Sequence, residues 1–235
     1  MFSIAAAELK MLVRNRLVAI CAILMPLGLG LVFLVRGTTE GAPALAAIQI
    51  MAMVSLGVYI TATTTLAARR QTLFLKRLRS GAVSDGSIIT GLVAPIVIVS
   101  IVQVGIVLTA LSVSAGAPPA NVGLLIVALL ATEAMFVGFA LATAGVTNSP
   151  EHAQVTTLPL FFAILGVTVW VTFTGFGDLG WLKRLLPGGG ATELIITAWS
   201  GGDLSSVASL IAPTLAWAVL GVFAAKAMFR WEPRA

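Results

Sequence analysis

Polar residues interrupt this chain at only a few places. Between them lie six apolar runs, at 17–35, 44–67, 88–113, 122–146, 153–176 and 206–229. Each meets the roughly 17–25 residues that a helix needs to cross a hydrocarbon core. The pattern predicts an all-α integral membrane protein with six transmembrane helices in a single transmembrane domain. The stretches between the runs are patterned too. In residues 2–16, Ile4, Ala7, Met11 and Leu12 recur at helical spacing while Glu8, Lys10, Arg14 and Arg16 face elsewhere. That is the pattern of a helix lying in the membrane interface. The run 17–35 exceeds the roughly 7–15 apolar residues of a signal peptide, so it is expected to be retained even though Ala44-Leu45-Ala46 resembles a cleavage site.

The longest polar interruption is 68–87. In it Phe74, Leu75, Leu78 and Ala82 share one helical face, while Arg69, Lys76, Arg77 and Ser80 fall largely on the other. This predicts an amphipathic surface helix between the second and third spans. Ser84 or Asp85 then caps the next helix by accepting a hydrogen bond from a free backbone N–H. The segment 177–205 is different again. Trp181 to Pro187 is amphipathic, Gly188-Gly189-Gly190 breaks it, and 191–199 reads as a short apolar helix. That helix is too short to cross. It is expected either to lie flat or to re-enter the membrane, and protein must shelter it if it dips in.

Charge adds a direction. With both termini inside, the inner segments hold Lys10, Arg14, Arg16, Arg69, Arg70, Lys76, Arg77, Arg79, Lys226, Arg230 and Arg234, and the outer segments hold only Arg36, Lys183 and Arg184. An excess of Lys and Arg on cytoplasmic loops predicts an N-in, C-in protein, with 68–87 cytoplasmic and 177–205 external. The same clustering beside apolar runs argues against nucleic acid as a partner of this +5 chain. Charged residues make up only 10% of the chain, against about 25% in a soluble domain. Little is left to build an aqueous catalytic domain, and the chain is expected not to be an enzyme.

Few residues offer chemistry. Glu133 lies eleven residues into the run 122–146, about 16 Å deep at 1.5 Å per residue and so near the midplane. An ionisable group at that depth is a functional candidate by default. Gln103 sits at similar depth in the preceding span and could hydrogen-bond to it, and no basic residue shares that depth. Both are candidate pathway residues, with a packing bridge between helices as the plainer account. The hydroxyl-rich half of the second run (Ser55, Gly57, Thr61, Thr63, Thr64 and Thr65) reads as a close helix–helix contact. His152 has no nearby Cys or second His, a poor basis for a metal site. The lone Cys21 lies inside an apolar run and behaves as a small apolar side chain. No Gly-x-x-x-x-Gly-Lys-Ser/Thr occurs anywhere, and Gly188-Gly189-Gly190 lacks the lysine that reaches a phosphate. No cofactor is expected on this chain. If ATP drives it, a separate polypeptide hydrolyses the ATP.

Three stretches resemble the membrane subunit of type-two ABC exporters, the drug, polysaccharide and lipid export permeases. The first is Glu-Leu-Lys-Met-Leu-Val-Arg-Asn-Arg at 8–16, followed by an apolar run holding Pro26. The second is Leu75-Lys76-Arg77-Leu78-Arg79 leading through Ser84-Asp85 into the next span. It is similar to a cytoplasmic segment in which a basic L-K-R-L-R precedes T-P-L-S and a helix start, with Ala82 and Leu92 standing where that family usually has Pro and often has Lys. The third is 181–199, where Leu186-Pro187 resembles the L-P inside two short external helices before the last span. The resemblance implies half of a dimeric pore for export, in a homodimer or with a second permease, in the cytoplasmic membrane of a bacterium, and a cavity with few charges suits a hydrophobic or amphipathic substrate (a drug, antibiotic or lipid) better than a sugar. It implies an ABC ATPase partner docked on 69–87, with Phe74, Leu75, Lys76, Arg77, Leu78, Arg79, Ser84 and Asp85 as the coupling residues. A secondary transporter driven by an ion gradient through Glu133 is the competing expectation, because such carriers place ionisable groups at the midplane. An anchoring or assembly protein without transport is the third, and it would tolerate changes at Glu133.

Overall fold

The computed structural model describes residues 24, 27–28, 31–32, 41–80, 84–175, 177–202, 205 and 207–228. The expected interfacial helix at 2–16 and most of the expected first span at 17–35 lie outside these residues, as do Ala82, Arg230 and Arg234. Every regular element among the described residues is a helix. Five helices are long and apolar enough to cross a membrane: α1 (Ala42–Gln71), α3 (Asp85–Ala115), α4 (Val122–Val146), α5 (Pro150–Thr174) and α8 (Val207–Met228). Even the 22-residue α8 is about 33 Å long at 1.5 Å per residue, enough for a hydrocarbon core of about 30 Å. Three shorter helices join them: α2 (Phe74–Arg79), α6 (Gly180–Leu185) and α7 (Gly189–Ser200).

Local chemistry sets the helix ends. Ser84 is extended and its hydroxyl accepts the Ser87 N–H at 3.3 Å, so α3 starts three residues before the expected position 88. Of the two expected caps, Ser84 is the one used, and Asp85 occupies the first turn. Asn121 caps α4 by accepting the Leu124 N–H at 2.9 Å. Ser149 caps α5 ahead of Pro150, whose missing N–H costs nothing in a first turn. That places His152 inside α5, exposed, where the pattern put it just before the helix. Helix α1 runs four residues past the expected 67, through Arg69 and Arg70, and contains a π-helical segment, Ser55–Ile60.

α1 and α4 form the centre of the bundle, and α5 and α8 are the least buried spans. α8 lies along α4 in the same direction, pairing Gly138 with Ala218 and Gly221, and Gly145 with Met228. A Cβ on Gly138 would stand 2.6 Å from the Ala218 carbonyl oxygen. The hydroxyl-rich half of α1 is packed as its small residues suggest. Ser55, Gly57, Thr61 and Thr63 are buried, and Ser55, Thr63 and Thr64 donate to carbonyls one turn back in α1 itself.

α6 and α7 form a hairpin that turns back into the bundle. A Cβ on Gly188, at its tip, would touch Met51 and Ile164, which lie nine residues into α1 and ten before the end of α5. That depth is about 14 Å below the bundle end at 1.5 Å per residue. The hairpin therefore dips into the bundle rather than lying across its end. Its backbone is sheltered, since Gly189, Gly190, Ala191, Thr192, Leu194, Ile195, Ala198 and Trp199 are all buried. Gly189 is obligatory there, because a Cβ would fall 1.7 Å from the Lys183 carbonyl oxygen.

The α4–α8 contact yields a controlled test. Gly138→Ala is expected to lower stability by about 1–3 kcal/mol through overpacking. A Cβ on Gly166 in α5 would meet nothing within 4 Å, so Gly166→Ala should leave the melting point unchanged or higher. Thermal unfolding in detergent compares the two, and equal midpoints would remove the close-packing account.

Candidate functional site

The described basic residues separate by bundle end. Arg69, Arg70, Lys76, Arg77, Arg79 and Lys226 lie where α1, α4 and α8 finish, and Lys183 and Arg184 lie at the opposite end with the α6–α7 hairpin. The first group centres on α2. Leu73 turns the chain with a left-handed φ of 58°, and its N–H donates to the Arg70 carbonyl at 3.0 Å. Leu75 then points fully into the bundle, Phe74 and Leu78 are half-buried, and Lys76, Arg77 and Arg79 face outward. The Arg69 guanidinium sits over the Phe74 ring at 5.2 Å. Arg77 Nη2 donates to the Thr72 carbonyl at 3.3 Å, and Arg79 Nε lies 3.2 Å from Asp85 Oδ1. Both partners of that pair are about half exposed, so it orients Arg79 more than it stabilises the fold. Thr72, Leu73, Lys76, Arg77 and Ser80 line an open depression of about 570 Å³ on the outer face of α2. The structure thus gathers seven of the eight expected coupling residues with Arg69 around one short helix, and Ser84 joins them through its cap on α3.

The second feature is deep in the bundle. Glu133 is 2% exposed and its Oε1 accepts a hydrogen bond from Ser100 Oγ at 2.8 Å. Its Oε2 is buried without a hydrogen-bond partner among the described residues. Gln103, also buried, lies one turn further along α3 from Ser100. The bond expected between Glu133 and Gln103 is thus replaced by one to Ser100. α1 approaches the pair at Gly57, where a Cβ would stand 3.7 Å from Ser100 Oγ, in ordinary van der Waals contact. Gly57 belongs to the π-helical segment of α1, a type of turn that recurs at functional sites. Three helices meet at this polar group, and further along α1 and α4 the rings of Tyr59 and Phe136 pack with centroids 6.1 Å apart.

Arg70 is the residue that the pattern misplaced. Counted as a surface charge, it is 1% exposed, with Nη1 donating to the Ala144 carbonyl at 2.9 Å and Nη2 to the Thr147 carbonyl. A single membrane-flanking arginine gives no signal for this, since burial depends on where α4 ends. At the other end of the bundle Lys183 is similarly buried, donating to Thr174 Oγ1 and the Gly175 carbonyl. Arg184 makes a two-point ion pair with Glu193, at 2.7 and 2.8 Å, and the hydrogen bond to that carboxylate raises its pKa above the ordinary arginine value. The pair joins α6 to α7.

Comparison with protein families matches residues 1–181 to the family described as ABC-2 type transporter. Comparison with curated proteins gave no match. The matched region runs from the amino terminus into α6 and includes both features described above.

The buried carboxyl can be probed without a transport assay. Ser100→Ala removes its donor and is expected to cost about 0.6 kcal/mol, the average for side-chain hydrogen bonds between membrane helices. Glu133→Gln keeps both the shape and an acceptor for Ser100 and should cost less. Unfolding in mixed micelles measures both, and a larger loss for Glu133→Gln than for Ser100→Ala would mean that the charge or proton of Glu133 matters more than this bond.

Proposed function

Because the chain belongs to the ABC-2 type transporter family, whose members are membrane permeases, we propose that it is the permease subunit of an ATP-driven exporter, with its basic α2 seated on a separate ATPase. The observation that carries this reading is the geometry of α2. A short helix between the end of α1 and the start of α3 buries Leu75 and turns Lys76, Arg77 and Arg79 outward. Such a face suits a groove with acidic walls, and a gradient-driven carrier has no need of it. Separation of the described Lys and Arg by bundle end supports a cytoplasmic location for α2 and an external one for the α6–α7 hairpin. The expected span at 17–35 would bring the number of crossings to six and both termini inside.

In this reading the permease is half of a dimeric pathway, formed with a second copy or a related subunit, in the cytoplasmic membrane of a bacterium. The outward apolar faces, such as Ile98, Val102 and Ile106 on α3 and Val219 and Phe223 on α8, are surfaces for lipid or for that second subunit. The transported molecule is hydrophobic or amphipathic, since the spans offer it few charges. Glu133 and Gln103 are the polar groups at mid-depth that a change of access would expose to it. The unpartnered Oε2 of Glu133 supports one second reading, a carrier that exchanges a proton or cation there.

Extraction of the tagged protein in mild detergent is expected to bring a P-loop ATPase with it. Changing Arg77 and Arg79 to Glu should release that ATPase while leaving the permease folded, because both side chains are exposed. Retention of the ATPase by the variant would remove α2 from the docking surface. Absence of any ATPase from the parent, together with ion-dependent transport lost in Glu133→Gln, would favour the carrier instead.

A further inference from the structure

Arg70 does more than finish a helix. The last turn of α4 leaves carbonyls without partners inside the helix, and its carboxyl end carries partial negative charge. Arg70 comes from α1 and supplies donors and positive charge there at once, reaching both the Ala144 and Thr147 carbonyls. Two further bonds join the same halves of the two helices: Tyr59 and Thr143 hydroxyls at 3.0 Å, and Thr63 Oγ1 to the Ala140 carbonyl at 3.5 Å. The guanidinium is buried, so breaking these bonds costs more than it would at a solvated surface. This makes the junction stiff.

The position of Arg70 in the chain gives the stiffness a use. It lies four residues before α2 begins. Its own carbonyl accepts the Leu73 N–H, and its neighbour Arg69 covers the Phe74 ring. On the far side of the junction, α4 carries Glu133 and is locked to α8 at Gly138 and Gly221. A displacement of α2 therefore reaches α4 and α8 through Arg70 without passing along the length of α3. We infer that Arg70 is a positioning residue for transport, the rigid joint that makes α2, the end of α1 and the end of α4 move as one body. This rests on the proposed ATPase-driven reading for its function, though not for its geometry.

The test uses full-length chain with Cys21→Ala and a cysteine at Ser80 or Asn148, both exposed, after α2 and after α4 respectively. With spin labels at both sites in the chain alone, the parent should give one narrow distance distribution. Arg70→Met should broaden it about twofold or more, and Arg70→Lys, which keeps the charge but loses the two-point fork, should broaden it by less. Equal widths for the parent and Arg70→Met would overturn the joint, whatever drives the protein. With a fluorophore at one site at a time in the ATPase complex, ATP and Mg²⁺ should change both signals in the parent. In Arg70→Met the Ser80 response should persist while the Asn148 response falls about tenfold, within the range of measured coupling between sites. A merely stabilising Arg70 would weaken the two responses in parallel, and that result would overturn the proposal. Should Arg70→Met fail to fold, Arg70→Lys decides by the same criterion, a selective loss at Asn148 supporting the joint and a parallel loss refuting it. A parent that binds no ATPase defeats the functional reading, and the distance measurement then judges the joint by itself.

Discussion

A hydrocarbon core offers no water, so each backbone N–H and C=O inside it must find a partner within the protein. Mid-helix groups do this automatically. The ends of helices do not, and in this chain the ends are where long polar side chains have been drawn inward. Arg70 covers the carboxyl end of α4 and Lys183 that of α5. Trp199 Nε1 donates to the Ala117 carbonyl just past α3, and Trp217 Nε1 donates to the Leu185 carbonyl at the end of α6. Side chains that flank a membrane are commonly interfacial anchors. Here several serve instead as bolts between elements.

The same constraint explains how the hairpin of α6 and α7 is packed. A short helix entering the bilayer is tolerable only when surrounded by protein, and α7 can be surrounded only if its neighbours approach closely. Glycine at 189 and 190 permits this, with the carbonyls of Lys183 and Leu210 where side chains would otherwise stand. Two hydrogen bonds then tie the end of α7 to the start of α4, from the Ala120 and Asn121 N–H groups to the Trp199 and Ala198 carbonyls. α4 is thus held at one end by α7, at the other by Arg70, and along its length by α8. It is the element on which the rest of the described bundle converges, and it carries the buried Glu133.

Much of this was legible in the order of residues. Runs of apolar residues long enough to span, the amphipathic face of α2 and the Gly-rich break before α7 follow from side-chain polarity and backbone freedom alone. The depth of Glu133 follows from counting at 1.5 Å per residue. Pairings between helices were not legible, because spacing along one helix does not say which neighbour faces it. Gln103 and Ser100 are one turn apart on α3, and only the way α3 and α4 pack makes Ser100 the partner of Glu133.

What the sequence by itself determined is partition: which segments must lie in lipid, which must stay at a surface, and how positive charge divides between the two. These depend on free energies of transfer that each segment carries with it. What only the tertiary structure decided is the use of individual polar groups. Arg69 and Arg70 are adjacent and chemically identical, yet one lies over an aromatic ring beside α2 and the other is sealed against α4. The difference lies in where α4 ends relative to α1, a relation between distant segments that no local pattern encodes.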